Sequence, residues 1–148
     1  MVRGRIEVYF PGLRDSEYRV TSPEAATYNC IAWAAGDSRR WWWPTDKSFW
    51  PKGAPRKVTV TAFVRAFGTY GYVPCESPSL EDGFEKVAIY VKDGRPTHAA
   101  RQLPTGKWTS KLGPLEDIEH SLRAIEGDQY GSVAQILRRE RRSSLALK

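Results

Sequence analysis

Cys30 and His98 are the residues whose types and spacing point most directly to chemistry. Cys30 follows Thr27-Tyr28-Asn29 and opens the apolar run Cys30-Ile31-Ala32-Trp33-Ala34-Ala35, which stops at Gly36. A helix starting near Asn29 would place the thiol in its first turn, where open backbone N–H groups and the positive helix end favour a thiolate. The same N–H groups could line an oxyanion hole. His98 stands after Thr97 and before Ala99-Ala100, whose small side chains leave room for a substrate chain. A strand-borne imidazole held against a helix-borne thiol is the arrangement that nucleophilic catalysis needs. A third group should orient the ring. A hairpin closing tightly over Pro104-Thr105-Gly106 sets position 98 opposite 112 and puts Ser110 on the His98 face. Asp117 ranks level with Ser110 for this role, and His120 is a rival. The expected catalytic set is therefore Cys30, His98 and either Ser110 or Asp117. Asn29, Tyr28, Trp43, Trp50 and Trp108 are expected at the substrate, and no metal or organic cofactor is required.

Plainer readings stand beside this one. Cys30, Trp33 and Ala34 share a helical face, and a buried, inert cysteine is common. His98 alone reads as a hydrogen-bonded strand residue, and His120 as part of a solvated helix face. Cys30, Cys75, His98 and His120 have the ligand types of a zinc site, but no two are locally spaced for one. Cys75, between Pro74 and Glu76, reads as incidental. Arg39-Arg40 beside Trp41-Trp42-Trp43 supplies cations next to stacking platforms, the makings of a nucleic-acid or partner-binding module.

The elements that must position these groups follow from pattern. Arg5–Phe10 alternates and stops at Pro11-Gly12, which predicts a short strand. Ser22-Pro23-Glu24 is a helix start signal, so the cysteine helix begins at Pro23 or only near Asn29 and ends near Ala35. Residues 37–57, rich in Trp and Pro, read as an ordered loop whose rings pack on the domain and wall the cleft. Val60, Phe63, Val64 and Phe67, capped by Thr59, predict an amphipathic helix. Lys86–Lys92, Thr97–Leu103 and Lys107–Leu112 predict three strands. Leu115, Ile118, Leu122 and Ile125 predict a helix, and Val133, Ile136 and Leu137 begin a last one that runs into a basic tail. Helices and an antiparallel meander segregated along the chain argue an α+β class. The cysteine helix would pack on a small antiparallel sheet, with helices at the C-terminus.

The three segments Tyr28-Asn29-Cys30-Ile31-Ala32-Trp33-Ala34, Pro96-Thr97-His98-Ala99-Ala100-Arg101-Gln102 and Gly106–Gly113 are similar to an uncharacterised bacterial domain family over roughly residues 20–140. More broadly, a Cys opening a helix, a later His on one strand and a polar residue on the next resemble the papain-like cysteine hydrolases. That superfamily includes cell-wall peptidases, deamidases and deubiquitinase-like effectors. The resemblance implies a papain-like or cell-wall-peptidase-like fold. It also implies thiol chemistry on a peptide or isopeptide amide, peptidoglycan or a glutamine side chain, with a toxin or effector role open. No Gln stands a few residues before Cys30, so Asn29, Tyr28 or backbone amides would form the oxyanion hole.

Composition bounds the rest. The chain has 148 residues, 41% hydrophobic and 27% charged, enough for one core-bearing domain over 1–148 and against wholesale disorder. The net charge of +6 invites a polyanion partner, but residues 138–148 carry +4 of it, so the basicity sits mostly in a tail that is free to be flexible. Two cysteines without CxxC spacing predict free thiols in a reducing compartment ahead of one Cys30–Cys75 bridge. No apolar run has membrane-spanning length and no signal peptide is visible, so a cytoplasmic protein without a membrane partner is expected. Export by a signal-independent route and the oligomeric state stay open.

Overall fold

The computed structural model describes residues 2–22, 27–45, 47–112 and 115–141, with the side chains of 2–4 set aside. It is built around one seven-stranded sheet: β1 (Arg19–Ser22), β2 (Val73–Cys75), β3 (Phe84–Lys92), β4 (Arg95–Gln102), β5 (Trp108–Lys111), β6 (Asp117–His120) and β7 (Ser132–Glu140). Their spatial order is β1-β6-β5-β4-β3-β7-β2, with neighbours antiparallel. Among the described residues helices are few and short: α1 (Val2–Tyr9), a 3₁₀ turn (Pro11–Asp15), α2 (Cys30–Ala34) and α3 (Val60–Gly68).

This overturns the expected papain-like α+β fold with C-terminal helices. The two helices expected there are the strands β6 and β7. Val133, Ile136 and Leu137 fit a helical period, but β7 is inserted between β3 and β2. A strand hydrogen-bonded on both sides and covered on both faces shows no clean alternation, so its apolar residues mimic a helix. The basic tail is correspondingly shorter. Arg138 and Arg139 lie within β7 and pair with Glu81 and Glu85. Residues 142–148 lie outside the described residues. The opposite exchange occurs at the N-terminus, where 5–9 is helical rather than extended. Ile6 and Phe10, one turn apart, are buried, while Val8 between them is 68% exposed. Those are the faces of a helix.

Alternation in β3 and β4 sends side chains to two separate cores. Val87, Ile89, Ala99 and Leu137 meet α2, α3 and the tryptophan loop. Ala88, Tyr90, Ala100 and Ile136 meet α1, the 3₁₀ turn, Trp108 and Ile118. In α3, Phe63 and Phe67 are wholly buried and Thr59 caps the Ala62 amide at 3.1 Å. α2 begins at Cys30 itself and closes at Gly36, whose φ of 87° glycine alone adopts readily. Pro23, the other candidate start, lies outside the described residues.

Asn29 joins α2 to the tryptophan loop. Its Oδ1 accepts from the Ala32 amide at 3.2 Å and the Trp42 amide at 3.0 Å, and its Nδ2 donates to the Trp42 carbonyl at 2.7 Å. Asn29→Ala removes a cap and strands both backbone groups of Trp42, so a loss of about 3 kcal/mol is expected. The urea midpoint measures it, and a change within about 0.5 kcal/mol would show that the loop does not depend on this residue.

Candidate active site

The sheet separates the expected catalytic residues into two groups. Cys30 meets β4 at Ala99, from the side of α2. The amides of Ala99, Ile31 and Cys30 favour its thiolate, but burial outweighs them and pushes the thiol up to about 11. Lys111 acts in the same direction as the amides. On this side the Tyr28 hydroxyl donates to Asp117 Oδ2 at 2.7 Å, and Lys111 Nζ stands 5.4 Å from the centre of the Tyr28 ring. Burial raises the Asp117 carboxyl, against Tyr28, Lys111 and Ser22, which hold it down.

His98 leaves β4 on the other face, opposite Tyr90. Its ring is wholly buried, stacked on Tyr130 with centroids 4.0 Å apart and met edge-on by Tyr90 at 5.2 Å. The β4–β5 register, Arg101 opposite Thr109 and Gln102 opposite Trp108, sets Ser110 within reach. His98 Nε2 lies 2.9 Å from Ser110 Oγ, which lies 2.7 Å from His120 Nε2. His120 Nδ1 is 2.8 Å from the Ser121 carbonyl.

That chain fixes every proton. A carbonyl only accepts, so His120 carries its proton on Nδ1 and leaves Nε2 bare. Ser110 therefore donates to His120 and accepts from His98 Nε2–H. The His98 Nδ1 lone pair is left without a partner, and it is buried. Burial, then the nearby His120, hold His98 well below its ordinary value; burial takes His120 down to about 4, against the Ser121 carbonyl. Both rings are neutral at pH 7.

The structure thus brings Ser110 and His120 to His98, while Asp117 belongs to the Cys30 side. No hydrogen bond joins Cys30 Sγ to His98 Nδ1. β4 and β5 part beyond a short ladder. Ladder pairing between these strands stops at Arg101 and Gln102, and beyond it Cys30 reaches the backbone of Ala99, the residue after His98. Burial, and then the charge of Cys30, raise the hydroxyl of Tyr130, the ring stacked on His98. His120, read from the sequence as a solvated helix residue, is instead a wholly buried strand residue. Its neighbour acids suggested an exposed helix, and the relay became visible only when β6 docked on β5.

The expected substrate-binding residues are mostly held by the core. Asn29 serves as the α2 cap and Tyr28 as the Asp117 donor. Trp50 is 4% exposed and donates its indole N–H to the Pro55 carbonyl at 2.9 Å. Trp43 meets Phe63 edge-on at 5.5 Å, and Trp108 lies 3% exposed on the His98 face. The Arg-Trp segment is not a splayed platform. Trp42 is fully buried, and Arg40 stacks 3.6 Å over Phe49 while pairing with Asp37. Cys30 and Cys75 are free thiols. Cys75 stands on the edge strand β2, beyond β3 and β7 from His98, and no group of three metal-ligating side chains gathers among the described residues. Among those residues no helix is long and apolar enough to cross a membrane.

One family model, described as a domain of unknown function (DUF7689), matches residues 19–138. No curated protein and no solved structure matches the chain.

Proposed function

The chain belongs to the DUF7689 family, and from that premise we propose that it is a thiol enzyme that cleaves or transfers an amide-bound acyl group, with Cys30 as nucleophile and His98 as base. One observation carries the reading. The Ser110–His120 chain leaves His98 Nδ1 as a bare acceptor, next to the residue whose amide faces the Cys30 thiol. A general base needs that tautomer, with its other nitrogen anchored.

Both groups start neutral. Because Cys30 and His98 leave opposite faces of the sheet without a direct hydrogen bond, the transfer runs through a water. As Sγ attacks the carbonyl carbon, the thiol proton passes by way of that water to Nδ1, and the amides of Cys30 and Ile31 face the developing oxyanion. The C–N bond then breaks and His98 returns the proton to the leaving amine. Water hydrolyses the thioester, or a second amine takes the acyl group. Ser110 holds the ring and His120 holds Ser110. The substrate class is a peptide, isopeptide or glutamine-type amide.

The test uses p-nitrophenyl acetate as the acyl donor, with mass spectrometry of the folded protein at pH 7. Wild type should gain one acetyl group on Cys30. Cys30→Ala should gain none there, His98→Gln should react roughly 100-fold more slowly, and Ser110→Ala about tenfold more slowly. The wild-type rate should stay level on acidification until well below pH 6.5, because the base remains neutral there. Acetylation of Cys30 only in denaturant, or at equal rates in wild type and His98→Gln, would make it a core thiol and end the proposal.

A further inference from the structure

His98 is anchored at one ring nitrogen only, through Ser110 at Nε2. A single hydrogen bond locates one atom of a ring, and the χ2 torsion of a histidine has broad preferences of its own. The plane of the imidazole is therefore set by what packs on it. Tyr130 lies flat against it, with centroids 4.0 Å apart and 11° between the ring planes. Tyr90 meets the imidazole edge-on at 5.2 Å, and Phe10 backs Tyr130 at 5.0 Å. His98 is wholly buried and Tyr130 only partly so, which makes Tyr130 the outer member of the stacked pair.

The backbone of Tyr130 is tied to the strand that carries the base. Thr97, the residue before His98, donates from Oγ1 to the Tyr130 carbonyl at 2.6 Å. Gly131 on its other side packs on the Val91 backbone and is bridged to Gly127. The Tyr130 hydroxyl bonds to no described residue, so backbone and ring packing hold this side chain rather than its polar tip. The charge of Cys30 acts on that hydroxyl, which sets the stacked pair within electrostatic reach of the thiol. Resting on the Cys30–His98 reading, we propose that Tyr130 is the positioning residue of the base: its ring, stacked on the imidazole, holds the plane in which Nδ1 takes up the proton released by Cys30. It acts through His98. The titratable groups facing His98 are Tyr90, Tyr130 and, beyond Ser110, His120. Removing the Tyr130 ring opens one face of the imidazole to water, which favours its protonated form.

Two readouts test this in the whole chain. The first is acetylation of Cys30 by p-nitrophenyl acetate. Tyr130→Leu should lower the limiting rate roughly tenfold with little change in the half-saturating ester concentration, and Tyr130→Phe should stay within about twofold of wild type. Thr97→Val, which frees the Tyr130 carbonyl and leaves both rings in place, should lose less in the same way. The second is titration of the His98 ring nitrogens by long-range proton–nitrogen spectra. In Tyr130→Leu the protonation of His98, and with it the acid limb of the rate, should move up by about one pH unit, and in Tyr130→Phe it should not move. Urea midpoints confirm that each variant is folded, and Thr97→Val carries the test if Tyr130→Leu is not. Wild type that fails to acetylate Cys30 would sink the thiol reading, while the His98 titration would still decide whether Tyr130 holds the ring. Unchanged rate and unchanged His98 protonation in folded Tyr130→Leu and Thr97→Val would overturn the inference. So would a loss in Tyr130→Phe equal to that in Tyr130→Leu, which would assign the effect to the hydroxyl.

Discussion

Gly131→Ala is expected to lower stability by about 3 kcal/mol or more. Gly131 sits at φ 76°, and a Cβ there would stand 2.7 Å from the Val91 carbonyl carbon and 2.9 Å from Lys92 Cα, with the Val91 oxygen nearer still. These are backbone atoms of β3, a strand paired on both sides, and have no rotamer to change. The residue also closes a two-way bridge with Gly127, through N–H to carbonyl bonds of 2.9 and 2.8 Å. The displacement would reach the candidate site, because neighbouring Tyr130 is the ring stacked on His98. Gly36→Ala is the control. Gly36 has φ 87° but nothing within 4 Å of the place a methyl group would take, so only the left-handed backbone is penalised, by about 1–2 kcal/mol. Urea denaturation of both variants separates the two contributions. Equal losses would show that β3 gives way and that the close approach is not rigid.

Acidification should destabilise the protein steeply between pH 6.5 and about 4, through the histidine relay. In the unfolded chain each imidazole takes up its proton near 6.5. In the folded protein His120 does so only near 4, and His98 is also held well below its ordinary value. Above pH 6.5 both states are neutral and nothing is lost. As the pH falls below 6.5 the unfolded chain binds protons that the folded one refuses, so stability declines until the folded value is reached. For His120 alone the loss by pH 4 is about 3 kcal/mol, at roughly 1.4 kcal/mol per unit, and His98 adds in the same direction. Burial acts against the Asp37 carboxylate, yet bonds from Trp42, Arg39 and Arg40 hold it below the usual range, so its contribution is lost at still lower pH. Urea midpoints measured from pH 7 to 4 report the slope. His120→Gln, compared with its own value at pH 7, should flatten it over that window. An unchanged slope in this variant would assign the acid sensitivity to carboxylates instead.

Local sequence determined the parts of this protein that local physics controls. Gly36 after Ala35 marks the end of α2, because a left-handed glycine acts within one turn, while its start, open in the sequence between Pro23 and Asn29, was set by the Asn29 cap in the structure. Thr59 and the spacing of Val60, Phe63, Val64 and Phe67 define α3 for the same reason. Lys86–Lys92 was legible as a strand, being rich in β-branched and aromatic residues and closed by Asp93-Gly94. The turn at Pro104–Gly106 was equally legible, and with it the approach of Ser110 to His98.

What only the tertiary structure decided is which segments extend to complete the sheet, and which face each side chain takes. Residues 117–120 and 132–140 carry spacings that serve a helix or a doubly covered strand. Their ladder partners, β5 and β1 for one and β3 and β2 for the other, lie elsewhere in the chain and choose the strand. The same assembly brought His120 to Ser110 and set Asp117 against Tyr28. It also placed Cys30 and His98 on opposite faces around the parting of β4 and β5. Strand alternation is a two-residue period, but the face that meets α2 is chosen by packing, and no single segment encodes it.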